Sequence, residues 1–170
     1  IPSSPASVSA PIPAAPAWRR ALPIVVAVAA TALVVGIRLI LRSRLSRGLP
    51  ELLIGLTYAA SGGIGYPLTV TAALMPSREG MLGAVTIGQA LIVLGCSCFL
   101  FFNAKVFRPN ASWSVPVAAL GSLILAVCGA AVVVEFHATT DLALITERTR
   151  AWTAGFLLVL VAGQGWTAVE

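Results

Sequence analysis

The chain has 170 residues, 58% hydrophobic and 10% charged, with a mean hydropathy of +0.96 and a formal net charge of +5. Soluble domains are about half apolar and about a quarter charged, so a soluble globular domain is excluded, and the low charge also excludes the usual disordered class. The basic excess, 11 Lys and Arg against 6 Asp and Glu, lies between apolar runs. That placement points to membrane orientation rather than to nucleic acid, for which no recognition module is present.

Residues 1–17 are rich in Pro, Ala and Ser and carry no charge, which predicts a flexible, polyproline-leaning tail without the charged start of a signal peptide. The remaining 18–170 read as one membrane domain. Five apolar runs follow, at about 21–41, 51–75, 81–106, 115–136 and 151–169. Each is long enough to cross a hydrocarbon core of about 30 Å as a helix. The runs are too long for strands and do not alternate, and helices satisfy every backbone polar group internally, as a bilayer demands. The expected fold is an all-α polytopic membrane protein with five transmembrane helices.

The punctuation supports these bounds. Pro23 suits a first helical turn, Pro50 and Pro116 mark starts, and Pro76 and Pro109 mark stops. Trp18, Trp113 and Trp152 sit at or before the starts of runs and Trp166 near the end of the last, as interfacial indoles do. Arg42, Arg44 and Arg47 crowd the first loop, with Arg38 just inside the helix, and Lys105 and Arg108 lie at the third. Arg19, Arg20, Arg78, Arg148 and Arg150 fall on the other side, so the raw count is nearly even. The dense cluster after the first span decides the expectation: loops 1 and 3 cytoplasmic, N-terminus outside. Asn110, Ala111 and Ser112 match a glycosylation sequon, but in a loop read as cytoplasmic. In the fourth loop, 137–150, Thr139, Thr140 and Asp141 predict a cap for a short helix through Leu142, Leu144 and Ile145.

The second span is the most informative. Gly55, Ala59 and Gly63 form a small-residue ladder for close helix approach, and Ala126 and Ala130 form a second small face in the fourth span. Gly62, Gly63, Gly65 and Pro67 predict a kink or hinge, because Pro67 cannot donate to a preceding carbonyl. Tyr58, Ser61, Tyr66, Thr69 and Thr71 add hydroxyls, and Gln89 in the third span is the one amide well inside a run. Two readings follow. In one, Tyr58, Ser61, Tyr66 and Gln89 line a ligand pocket among spans two to four. In the other, the second span is tightly packed and its hydroxyls bond their own backbone. Asn103 and Lys105 read as interfacial residues ending the third span.

Reaction chemistry is sparse. Cys96, Cys98 and Cys128 lie inside apolar runs and read as packing residues, not as a disulfide or metal set. Glu135, His137 and Asp141 gather at one end of the fourth span, too few ligands for a metal site. Glu51 complements the dipole of the second helix. No span holds a deep lysine for retinal, one His excludes a bis-His haem, and no nucleotide, zinc-protease or serine-hydrolase motif occurs. No cofactor is expected. No internal repeat supports an inverted-repeat transporter.

The stretch Arg42–Leu56, with Leu49-Pro50-Glu51-Leu52, continuing to Gly62-Gly63-Ile64-Gly65-Tyr66-Pro67, resembles uncharacterised bacterial multi-span proteins of seven-helix type. These share an arginine-rich first loop and a glycine-rich second span. The resemblance implies a bacterial inner-membrane location, an outside N-terminus and two further spans after Glu170, and supplies no activity. The chain starts at Ile1 without Met and stops directly after an apolar run, so it reads as a piece of something longer. The leading functional expectation is a non-enzymatic sensor or receptor domain. The alternatives are an accessory subunit of a larger respiratory or photosynthetic membrane complex, and a transporter fragment. The expected partners are the lipid bilayer and other membrane chains.

Overall fold

The computed structural model describes residues 17–139 and 141–168, with side chains described from Leu22 onward except at 142, 143 and 166–168. The expected tail therefore lies outside the described residues, apart from Ala17, as do Thr140, Glu170 and the side chains of Trp18, Arg19, Arg20 and Trp166. The described residues are helical almost throughout: α1 (Ala17–Ser46), α2 (49–74), α3 (Arg78–Phe107), α4 (Ser114–Ala138) and α5 (Leu142–Ala168).

The helices outrun the apolar stretches that announced them. At 30 residues, α1 spans about 45 Å, more than a hydrocarbon core needs, so its ends project beyond the apolar run. Its start at Ala17 puts Pro23 inside the helix rather than in its first turn. Pro50 does open α2 within its first turn, and Ser77 caps α3 by accepting the Gly80 N–H at 3.1 Å. Asp141 precedes α5, its carbonyl accepting from the Ile145 N–H at 2.9 Å and its own N–H donating to the Thr139 hydroxyl at 3.3 Å. The short helix expected in the fourth loop is thus the beginning of the long α5. Glu147, Arg148 and Arg150 do not interrupt it, because backbone hydrogen bonding is indifferent to side-chain polarity.

Among the described residues, three helical stretches are long and apolar enough to cross a membrane: Leu22–Ser46, Arg78–Phe107 and Ser114–Ala138. α2 is apolar but divided. It runs as an α-helix over Leu49–Leu56, a π-helix over Thr57–Gly65, an α-helix over Tyr66–Thr71 and a 3-10 turn over Ala72–Leu74. α5 begins with polar and charged turns.

Consecutive helices pack antiparallel. Ile40 of α1 meets Gly55 of α2, and Leu33 meets Gly63. Ser61 of α2 meets Gly95 of α3, and Thr69 meets Gly88. Leu100 of α3 meets Gly121 of α4, while Gln89 meets Gly129. Cys128 of α4 meets Gly155 of α5. α1 packs on α2 alone, α2 lies between α1 and α3, and α5 folds back onto α4 and α3. The result is a row of helices ending in a three-helix cluster.

Candidate functional site

Among the described residues, the second and fourth helices do not pack on each other, so the pocket expected among spans two to four is not enclosed by them. α3 stands between α2 and α4, and among the described residues only Phe136 of α4 reaches a cluster that also holds Ala72 of α2. Among the described residues, no groove holds two of the four residues expected to line the pocket. Tyr58 is exposed and borders a groove of about 360 Å³ with Ala27, Val28, Thr31, Ala32 and Val35 of α1. Ser61 faces Gly95 of α3. Tyr66 is 55% exposed, turned outward. Gln89 borders a separate groove between α3 and α4.

The serine and threonine hydroxyls of α2 return to their own backbone. Thr57 donates to the Leu53 carbonyl at 2.9 Å, Ser61 to that of Thr57, Thr69 to that of Gly65 at 3.0 Å and Thr71 to that of Pro67 at 2.7 Å. Such back-bonding satisfies a hydroxyl inside an apolar medium without a second helix.

The glycines of α2 serve contact on both of its sides. Towards α1, a Cβ on Gly36 would lie 2.6 Å from the Ala59 nitrogen and 2.8 Å from the Gly55 oxygen. Gly62 lies against Ala32 and Gly63 against Leu33. Towards α3, a Cβ on Gly65 would lie 2.8 Å from the Gly88 oxygen, and one on Gly95 would lie 2.9 Å from the Ser61 nitrogen. Glycine is required in these places because backbone approaches backbone. The expected ladder of Gly55, Ala59 and Gly63 thus faces α1, and its complement, Gly36, was not singled out from the sequence. The hinge residues Gly62, Gly63 and Gly65 lie at the end of the π segment, packed against neighbours, and Pro67 follows in the next α-helical turn. Pro67 lacks an N–H to donate, and the register upstream of it is widened to π over nine residues rather than broken at one kink.

The cluster of α3, α4 and α5 holds Leu125, the largest fully buried side chain among the described residues. Leu100, Ala104, Ala118 and Leu125 are its core, with Phe156, Val159 and Leu160 of α5 packed on them. Asn103, expected at the interface, is instead 3% exposed, and its amide donates to the Gly163 carbonyl of α5 at 3.2 Å. Its place in the last two turns of α3, next to Lys105, concealed this crossing from a sequence reading.

The two ends of the row differ in charge. Arg42, Arg44, Arg47, Lys105 and Arg108 flank the α1–α2 and α3–α4 loops, with Glu51 as the acid beside them. The opposite end mixes signs. Arg148 pairs with Glu135 at 3.6 Å, Arg78 donates to the His137 carbonyl at 3.3 Å, and His137 Nδ1 lies 2.9 Å from the Val133 carbonyl. These contacts tie the starts of α3 and α5 to the end of α4. Among the described residues no group of His, Cys, Asp and Glu is arranged to hold a metal ion. Cys98 and Cys128 are buried, Cys96 is half-buried, and all three are free thiols.

The groove between α3 and α4, about 450 Å³, has walls of Thr86, Ala90, Val93, Ala126, Gly129, Ala130, Val133 and Val134. The Gln89 side chain lies over Gly129 and has no hydrogen-bond partner among the described residues, and Ala126 and Ala130 are exposed. No protein-family model matches the chain, and neither curated proteins nor solved structures give a match.

Proposed function

We propose that this is a non-enzymatic, multi-pass membrane domain that serves as an accessory subunit, packing against another membrane chain through the α3–α4 groove. The observation that carries the reading is Gln89. An amide without a partner inside an apolar medium costs several kcal/mol, on the order of a lost hydrogen bond. It lies in an outward groove whose rim, Ala126 and Ala130, is small enough for a helix to approach closely. A partner helix carrying one polar side chain satisfies both features.

The proposed topology has five spans in a bacterial inner membrane, with an outside N-terminus and with the α1–α2 and α3–α4 loops in the cytoplasm. The antiparallel row supports it by gathering Arg42, Arg44, Arg47, Lys105 and Arg108 at one end, as the positive-inside rule requires of cytoplasmic loops.

The test is purification from the native membrane in mild detergent, with native mass and companions measured. A stoichiometric companion is expected, and the A126L/A130L double variant should lose it while remaining folded. A lone chain contradicts the proposal.

A second reading, a sensor domain, rests on one feature: the π segment Thr57–Gly65, since π turns inside helices often mark functional sites. It expects Pro67→Ala to alter a cellular output. Unchanged output in P67A and Y66F removes it.

A further inference from the structure

The turn between α1 and α2 carries a feature that the docking groove does not explain. Only Arg47 and Gly48 separate the two helices, and Arg47 turns the chain with φ 53, in the left-handed region. This turn and the last turns of α1 enclose a groove of about 330 Å³ lined by Ser43, Arg44, Arg47, Gly48, Leu49 and Leu52. Arg44 and Arg47 are exposed, and Leu49 is 52% exposed. The Ser43 hydroxyl is committed to the Ile40 carbonyl at 2.7 Å, so the guanidinium groups are the free donors. Among the described residues Glu51 is the acid beside this turn, its carboxylate folded against Gly48, so the arginines outnumber it.

We infer that this groove binds the phosphate of an anionic phospholipid, with Arg44 and Arg47 on the phosphate and Leu49 and Leu52 against the start of the acyl chains. The inference rests on the reading of the chain as a membrane-spanning protein. Guanidinium forks match phosphate oxygens in pairs, and basic pockets where helices leave the bilayer hold anionic headgroups. A free phosphate satisfies the arginines but leaves the leucine walls in water. A zwitterionic headgroup brings a cation towards Arg38, Arg42, Arg44 and Arg47 together.

The experiment reconstitutes the full chain in bilayers of mixed phosphatidylglycerol and phosphatidylcholine, extracts it into mild detergent and counts retained lipid by native mass spectrometry. Wild type should retain phosphatidylglycerol in preference to phosphatidylcholine. Each guanidinium near the surface contributes about fivefold, so R44Q/R47Q should weaken retention by about 25-fold. The R42Q/K105Q pair removes the same charge from the same end of the row but outside the groove, and should retain the lipid. Equal loss in both pairs overturns the inference, as diffuse surface charge then suffices. Displacement of the lipid by millimolar inorganic phosphate also overturns it, in favour of a free-anion site. A chain that does not insert into bilayers overturns the membrane reading and this inference with it, whereas insertion without lipid preference overturns this inference alone.

Discussion

The two halves of the row hold together by different means. Around α2, glycines set the spacing: Gly36, Gly55 and Gly63 on one side, Gly65, Gly88 and Gly95 on the other, where backbone comes within contact of backbone and the side chains of Leu33, Ile40 and Ile92 lie directly on glycine. Around α4 and α5, side chains interdigitate over Leu100 and Leu125, and an amide crosses from Asn103 to Gly163. α3 takes part in both, offering glycines to α2 and leucine, phenylalanine and asparagine to its other neighbours. In lipid the apolar transfer term that drives soluble cores is absent, so van der Waals closeness and interhelical hydrogen bonds must do the work. The first half uses closeness and the second uses shape plus one polar bond.

The largest effect that sharpens this contrast is expected at Gly36. A leucine there would push into the backbone of Ala59 and Gly55, atoms that cannot turn aside, so G36L should cost about 3 kcal/mol or more and separate α1 from α2. Its control is Gly83, where a Cβ meets nothing within 4 Å. G83A should leave denaturant unfolding in mixed micelles unchanged or slightly improved. If G36L unfolds like wild type, the seam is not what joins the two helices.

Next comes Leu125→Ala. Leu125 is fully buried, but lipid is as apolar as the core, so mainly the cavity part of the usual penalty remains, about 2 kcal/mol. A loss no greater than that of an exposed control such as L158A would break the picture of a side-chain core. Asn103→Ala should cost less, about 0.6–1.7 kcal/mol, and a hydrogen-exchange readout should place the loosening at the end of α5. The smallest effect belongs to Ser61→Ala. Its hydroxyl bonds only its own helix, so stability should change by less than about 0.5 kcal/mol, and the contact of its Cβ with Gly95 stays. A large change in S61A would mean that the hydroxyl serves something outside α2.

Much of this architecture was legible in the sequence because hydropathy, Pro50, Pro76, Pro109 and Pro116 report where apolar helices start and stop. Hydropathy reports the apolar run and not the helix, so α1 begins before its run and α5 begins at Leu142, among charged residues. The small residues Gly55, Ala59 and Gly63 announced a contact face, but a single Gly36 in a uniform run carries no sign of what it meets. The polar residues were misplaced for a related reason. Tyr58, Ser61, Tyr66 and Gln89 look like neighbours when counted by span, yet they point to different faces of α2 and α3. A π segment shifts those faces further, since it changes the angle per residue that links sequence spacing to direction. Asn103 sat beside Lys105 and passed for a surface residue.

The measurement that tests the central claim most directly is thiol accessibility from each side of an intact membrane. Single cysteines at Ser46, Ser77, Ser112 and Thr139 place one reporter in each loop or at its edge, in a background with Cys96, Cys98 and Cys128 replaced by alanine. An antiparallel, membrane-crossing row expects Ser46 and Ser112 to react from one side only, and Ser77 and Thr139 from the other. Labelling of all four positions from the same side would contradict it.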